Sequence, residues 1–266
     1  MSATGDIPDW RDAQAYAPLL RAERAVFAWE WLRRNPAYRA AAALAGGPAG
    51  DCAERPRCVP ALAAQPEAGA WGLHVFEDPG MSALSARPLW RAEAYPFVLR
   101  ASASSEGEGR DRLDLARIAM STLVARSAAG LEHVLISDGL RSIRLDIVRG
   151  SLLAGPARLT YELAGLVAAE RPLRVLQRLL AVHRVGCFSA TLHRREARAA
   201  RWVLLLRTHD AIEAGASQRL VAAHLLSQAA SAVDWRYRTP SLRSQAQRLV
   251  RGARLLAAGG YRRFLQ

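Results

Sequence analysis

One segment near the end of the chain carries the residue types best suited to a defined chemistry. Between Ser241 and Gly259, polar side chains that can donate several hydrogen bonds recur about one helical turn apart. Arginine can form two parallel hydrogen bonds with guanine, and glutamine can do the same with adenine. The spacing predicts a helix face that contacts DNA, made by Arg243, Ser244, Gln247, Arg248, Arg251 and Arg254. The alternative is a solvated arginine face on an ordinary amphipathic helix.

Other arginines close in sequence are expected to hold the DNA backbone. Arg236 and Arg238 lie in the polar loop before the helix, and Arg262 and Arg263 follow it. Arg219, in a short segment upstream, is a further predicted DNA contact. Phosphate contacts position a protein on the duplex without reading its sequence. We therefore expect affinity and orientation from these arginines, and base reading from the helix itself.

Three consecutive helices are expected to position these side chains. The apolar spacing predicts a supporting helix over residues 196–214, a short helix from the Ser217 cap to about Leu226, and a last long helix that begins at Ser241. This is the order of elements in a helix-turn-helix unit. The connection from Leu226 to Ser241 is much longer than the usual turn of about three or four residues, which predicts a wing-like loop there.

The positive charge of the chain is concentrated in the same part. All 37 basic residues are arginine, and the net charge is +13. Residues 1–150 hold 18 arginines and 18 acidic residues, whereas residues 151–266 hold 19 arginines against 6 acids. Such localised charge is typical of a nucleic-acid binder, because neutralised phosphates release counterions. A generally basic surface is the alternative.

No group of residues has the spacing of a catalytic or metal site. His183, Cys187 and His193 match no common zinc pattern, and His209 continues an apolar helical stripe. A P-loop requires a lysine, which the chain lacks. The sequence therefore predicts a protein that is not an enzyme and that uses no cofactor and no metal.

The first 70 residues are rich in tryptophan and alanine. Pro18 and the pair Asn35-Pro36 divide them into short helices, and a linker is expected from Gly46. The aromatic side chains have two interpretations that the sequence leaves open, a hydrophobic core or a surface for a protein partner. The residues concerned are Trp10, Tyr16, Phe27, Trp29 and Trp31.

Short extended runs follow in residues 71–150, including residues 71–76, 88–90 and 97–99. The pair Asp138-Gly139 between two β-branched runs predicts a hairpin with a type I′ turn, in which both central residues have positive φ. In the second run, apolar residues 143, 145 and 147 alternate with polar ones, as in a half-buried strand. Residues 113–125 fit either a helix or a strand.

Together these patterns predict an α+β protein in three parts. They are a helical module with its linker at residues 1–70, a β-rich segment at 71–150, and a helical DNA-binding domain at 151–266 that includes a helix from Pro172 to Gly186. No stretch approaches the ~20 apolar residues of a membrane span, and no signal peptide is evident. We expect a cytoplasmic, nucleoid-associated protein with no membrane partner.

Several long strings resemble a known pair of bacterial domains. The first half resembles the transcriptional-regulator-like domain of proteins from mobile elements, in "DWRDAQAYAPLL", "AWEWLRRNPAY", "WGLHVFEDP" and "PLWRAEAYPFVL". The second half resembles its usual partner, a variant helix-turn-helix domain, in "EHVLISDGLRSIRLDI", "RWVLLLRTHDAIEAGASQRLVAAHLL" and "LRSQAQRLVRGARLLAAGGYRRFL". Together the strings cover most of the chain.

This resemblance implies a transcriptional activator of excision and transfer genes in an integrative and conjugative element. We expect promoter DNA as the partner, bound by a homodimer on paired half-sites, and RNA polymerase or a related antiactivator as a protein partner. The alternative is an antiactivator-type module that binds another regulator without binding DNA. Two departures, Leu220 in place of an acidic residue and "LLS" in place of "LFG", leave the turn geometry open.

Overall fold

A computed structural model describes residues 7–46, 61–107, 109–193, 195–228 and 240–266. Within these ranges the α-helices are α1 (Ala13–Tyr16), α2 (Arg24–Leu32), α3 (Pro36–Leu44), α4 (Glu170–Val185), α5 (Ala199–Glu213), α6 (Gln218–Leu225) and α7 (Pro240–Ala257). The strands are β1 (Ala61–Ala63), β2 (Leu99–Ser104), β3 (Arg112–Leu113), β4 (Ser121–Arg126), β5 (Glu132–Ser137), β6 (Ser142–Arg149) and β7 (Ala157–Glu162). The α+β prediction is confirmed.

The N-terminal helices are short because local residues start and stop them. The Asn35 side chain accepts hydrogen bonds from the backbone N–H groups of Ala37 and Tyr38, and Pro36 occupies the first turn of α3. The Asp12 carboxylate caps α1 in the same way. These are the short helices that the sequence predicts for this part of the chain.

The strands form one mixed sheet in the order β1-β4-β5-β6-β2-β7-β3. β1 pairs with β4 in parallel, β2 pairs with β6 in parallel, and the other neighbours are antiparallel. The ambiguous residues 113–125 therefore provide a strand, β4, at their end. Of the extended runs expected at residues 71–76, 88–90 and 97–99, the first two contribute an isolated bridge between Leu73 and Trp90, and the third ends at Leu99, where β2 begins. Residue 71 is the last residue of a 3-10 helix, Pro66–Trp71.

The predicted hairpin is present between β5 and β6, but its turn differs from the expected type I′. Ser137 pairs with Ser142, which leaves a loop of residues 138–141. Gly139 has a φ of 90°, whereas Asp138 has no positive φ, so only one residue adopts the left-handed region. The Asp138 carboxylate accepts hydrogen bonds from the backbone of Leu140 and Arg141 and closes the longer loop instead.

Both faces of the sheet are covered. α4 packs on one face through Val175, Leu179 and Val182, and the loop residues Val75 and Leu89 cover the other. The expectation of a half-buried strand at β6 is therefore wrong, because a segment remote in sequence shields its polar side.

Two charged residues of β6 are consequently buried. The Arg144 guanidinium donates to the carbonyls of Trp90 at 3.0 Å and Val134 at 2.9 Å, and to the Asp146 carboxylate at 3.2 Å. A buried charge is costly unless it is paired and hydrogen-bonded, and these bonds meet that requirement.

The largest core joins the two ends of the chain. Phe27 of α2 contacts Trp202 of α5 with ring centroids 5.1 Å apart, and Trp202 contacts Phe264 at 4.7 Å. All five aromatic residues that the sequence offered as a partner surface are at most 3% exposed, namely Trp10, Tyr16, Phe27, Trp29 and Trp31. They form core, and in this fold they are not accessible to a partner.

The C-terminal helices agree closely with the sequence patterns. α4 ends at Gly186, which has a φ of 76°, and the Ser217 hydroxyl accepts from the Leu220 N–H at 3.2 Å to cap α6. α7 spans 18 residues and is followed by a 3-10 helix, Gly260–Leu265. Within the described ranges, no helix is both long and apolar enough to cross a membrane.

Candidate nucleic-acid interface

Helix α7 has one buried face and one strongly basic face. Ala246, Leu249, Ala253 and Leu256 are buried, and they recur at intervals of three and four residues. The six side chains predicted to contact DNA from this helix are all exposed, namely Arg243, Ser244, Gln247, Arg248, Arg251 and Arg254. The structure thus brings all six onto the solvent side of a single helix.

Small residues hold α7 close to its neighbours. A Cβ atom at Gly252 would lie 2.9 Å from Cδ2 of Leu205, so the missing side chain lets α7 approach α5. Ala222 and Ala223 of α6 pack against Ala246 of α7 in the same way. The orientation of the basic face is therefore fixed by tight packing on two helices.

A groove lies between α7, the end of α5 and the start of α6. Gln247, Arg251 and Arg254 form one wall, and Gln218 and Val221 of α6 lie in another. The side-chain nitrogen of Gln218 is buried without a hydrogen-bond partner among the described residues. Gln218 was not among the residues predicted to contact DNA, although its position directly after the Ser217 cap places it in the first turn of α6.

Among the residues that the structure describes, the arginines of this surface have no acidic partners. None of Arg219, Arg243, Arg248, Arg251 and Arg254 forms a salt bridge with any residue that the structure describes. Residues 214–266 contain nine arginines and one acidic residue. Unpaired surface arginines create a positive potential that attracts phosphate.

The other predicted DNA contacts have different outcomes. Arg219 is exposed on α6, next to the groove. Arg262 lies beyond α7, where it donates to the Ala70 carbonyl at 3.1 Å and lines a separate cleft. Arg236 and Arg238 lie outside the described residues.

A buried ion-pair network joins α5 to the N-terminal helices. Arg34 donates to both carboxylate oxygens of Asp210, at 2.6 and 2.8 Å, and also contacts Glu30. The Tyr16 hydroxyl donates to Asp210 at 2.6 Å. Burial and the Asp210 charge raise the pKa of Tyr16 well above its usual value, so its hydroxyl remains a donor. The helices that position α7 are thus anchored on α1 and α2.

One group of potential metal ligands occurs among the described residues, namely His74, His133 and Asp146. The two imidazole rings stack 3.6 Å apart with planes inclined by only 20°, so their in-plane lone pairs do not converge on one ion at about 2.1 Å. Asp146 Oδ1 already contacts His133 Nδ1 at 2.7 Å and Arg144. His133, Asp146 and Arg144 form a buried hydrogen-bond network on which the His74 ring stacks, and the group does not fit a metal site.

Two segments of the chain match known protein families. Residues 163–266 match the family described as "T6SS, Transcription factor, DNA binding domain", and residues 9–74 match the "Proteobacterial transcriptional regulator-like domain". No individual curated protein matches the chain. Helices α4 to α7 and the basic face fall within the first match. With a DNA-binding domain of transcription-factor type at one end and a regulator-like domain at the other, the chain is a DNA-binding transcriptional regulator.

Proposed function

We propose that the regulator binds promoter DNA through the basic face of α7. The observation that carries this proposal is the fixed, acid-free face of that helix, opposite a fully buried one. An α-helix fits the major groove, which is about 12 Å wide. Arg243, Gln247 and Arg251 recur every four residues and span about 12 Å along the axis. We assign base contacts to this stripe.

Phosphate contacts are assigned to the flanks of the same surface. Ser244 and Arg248 form a parallel stripe on one side of the base-reading stripe, whereas Arg254, three residues after Arg251, borders the groove with Gln247. Arg219 lies on α6 across the groove. Cations on both sides of a helix in the major groove can neutralise phosphates of both strands.

We further propose that the protein activates excision and transfer genes of an integrative and conjugative element. The resemblance of its two halves to such activators supports this target. The family description of residues 163–266 names T6SS. The test therefore includes promoters of T6SS genes as well as promoters of excision and transfer genes. Binding as a homodimer on paired half-sites and contact with RNA polymerase or a related antiactivator are part of the same proposal.

The test is a DNA titration with the full-length chain. The full chain is required because α5 and α7 share their core with α2, and the C-terminal segment alone would expose Trp202 and Phe264. Labelled duplexes from the two promoter classes and a scrambled duplex are titrated by fluorescence anisotropy between about 50 and 200 mM salt. We expect one promoter to bind about 1000-fold more tightly than scrambled DNA.

Two variants are compared. Arg251→Ala changes α7, and the control, Arg117→Ala, removes an arginine that is far from α7 in sequence and whose side chain is 89% exposed. The first change should reduce the preference for the promoter about 5- to 150-fold, and the second should leave it intact. A folded protein that binds no duplex, or an Arg251→Ala variant with unchanged binding, would overturn the proposal. The former result would favour the antiactivator alternative.

A further inference from the structure

A second cleft, lined by different residues from the groove at α7, joins the two family-matched segments. Its volume is about 400 Å³. One wall consists of residues 69–72 at the end of the regulator-like segment, and another consists of Arg262, Leu265 and Gln266 at the end of the DNA-binding segment. Arg91 and Glu93 complete the lining. A molecule bound here would contact both segments at once.

Two arginines reach this cleft from different walls. Arg262 is held by its bond to the Ala70 carbonyl, and Arg91 Nε contacts Glu93 at 3.3 Å. The terminal nitrogens of Arg91 have no partner among the described residues, and its side chain is 42% exposed. Glu93 contacts only the Nε atom of Arg91, so both arginines keep N–H donors that no acidic side chain among the described residues uses. Two guanidinium groups at one concave site are suited to a carboxylate or phosphate.

Two glycines in residues 69–72 leave space for the Arg91 side chain against the first wall of the cleft. A Cβ atom at Gly69 would be 2.6 Å from Arg91 Nη1, and one at Gly72 would be 2.9 Å from the Ala94 Cβ. Gly72 also has a φ of 82°, which favours glycine. A side chain at position 72 would therefore collide with Ala94, and one at position 69 would displace the end of the Arg91 side chain.

Apolar groups complete the site. The half-buried Trp71 ring lies in the lining and is supported by an edge contact with Tyr38, with centroids 5.4 Å apart. Leu265 lies on the opposite wall, which is further held by the bond from Arg24 to the Gln266 carbonyl at 3.1 Å. A rigid aromatic ring beside two cations is typical of small-molecule sites that combine apolar contact with a few polar groups.

We infer that this cleft binds a small organic anion, with its carboxylate or phosphate between Arg91 and Arg262 and its planar apolar part on Trp71. Arg262 is five residues beyond the end of α7, so an occupant would link the DNA-reading helix to the regulator-like segment. We therefore assign the anion an effector role. This role rests on the proposed function, whereas binding of the anion does not.

The binding test uses isothermal titration of the full-length protein with three probes. They are AMP, which represents nucleotides, 4-hydroxybenzoate, which represents aromatic acids, and inorganic phosphate, which tests the contribution of charge alone. We expect saturable one-to-one binding of AMP or 4-hydroxybenzoate. Failure of both organic probes, or binding of inorganic phosphate only, would overturn the inference, because the apolar walls would then contribute nothing.

Matched variants locate the binding. Arg91→Gln and Arg262→Gln should each weaken the organic anion at least about 10-fold, since each removes a charged donor. Gly69→Ala should weaken it without a change of charge, because its methyl group displaces Arg91. Arg117→Gln should have no effect. Unchanged affinity in Arg91→Gln, with a wild-type circular dichroism spectrum, would contradict the site.

The effector role has a separate readout. Promoter affinity is measured by anisotropy with and without the bound anion, in the wild type and in Arg91→Gln. We expect a several-fold change in the wild type and none in the variant. Arg251→Ala should have a reduced promoter preference but still bind the anion, so a failure of the DNA proposal is distinguishable from a failure of this one. Anion binding with unaltered promoter affinity would refute the effector role.

Discussion

The Arg34 guanidinium and the Asp210 carboxylate form a two-bond ion pair in the protein core, with distances of 2.6 and 2.8 Å. Arg34 follows α2 closely and Asp210 lies on α5, so the pair joins the regulator-like segment to the DNA-binding segment. Both side chains are at most 3% exposed. The placement of α5, and through it of α7, therefore depends on residues at the opposite end of the chain.

Breaking this pair should strongly destabilise the protein. Arg34→Ala leaves the Asp210 carboxylate buried without its main partner, and we expect a loss of about 3–5 kcal/mol in the free energy of unfolding. Arg11→Ala is the matched control, because its pair with Asp9 is exposed and should contribute less than about 1 kcal/mol. Urea denaturation of both variants measures the difference. Equal losses would show that the buried pair has no special structural role.

Substitutions of base-contacting residues and of phosphate-contacting residues should affect DNA binding differently. Gln247→Ala should weaken promoter binding by about 1–3 kcal/mol and leave scrambled DNA unaffected. Arg219→Ala should weaken both duplexes alike and reduce the slope of log affinity against log salt by about one. Anisotropy titrations at several salt concentrations check this. The reverse pattern would exchange the two assignments.

Because Gly252 lies close to Leu205, substitutions at these two positions should have non-additive effects on the free energy of unfolding. A methyl group at position 252 collides with Leu205 in the wild type, whereas in a Leu205→Ala background the same change meets open space and improves helix propensity. We expect Gly252→Ala to be more favourable in that background by about 0.5–3 kcal/mol. A double-mutant cycle by chemical denaturation provides the value. Additive effects would mean that α5 and α7 do not pack through these residues.

Stability should decrease as the pH falls from 7 toward 4. Burial, together with the nearby Arg144 and His133, lowers the pKa of His74 to about 3. Unfolded His74 has a pKa near 6.5 and binds a proton in this window, whereas the folded residue does not, so acid favours unfolding. This group can contribute up to about 1.4 kcal/mol per pH unit between these two pKa values.

Urea unfolding at pH 7, 6 and 5 measures that dependence. His74→Gln should flatten the decrease in the free energy of unfolding with falling pH. His183→Gln is the control, because His183 is exposed on α4. If His74→Gln keeps the wild-type pH dependence, His74 binds its proton at the same pH in the folded and the unfolded protein, and the prediction is wrong.

The sequence by itself determined the elements whose signals are local. Ser217 caps α6, Gly186 ends α4, and the apolar rhythm of α7 separates its buried and basic faces. Each depends on hydrogen bonds or spacing within about one or two helical turns. The α+β class, the hairpin at β5 and β6, and the exposure of the arginines on α7 could therefore be predicted.

Only the tertiary structure decided which surfaces are covered and which distant residues meet. Arg144 is buried because residues 73–90 cross the second face of the sheet, and Trp31 is buried because it meets His209 of α5. Arg262 does not join the basic face of the DNA-facing helix and instead donates a hydrogen bond to the Ala70 carbonyl. These outcomes depend on contacts between segments far apart in the chain, and the residue pattern of one segment carries no information about its distant partner.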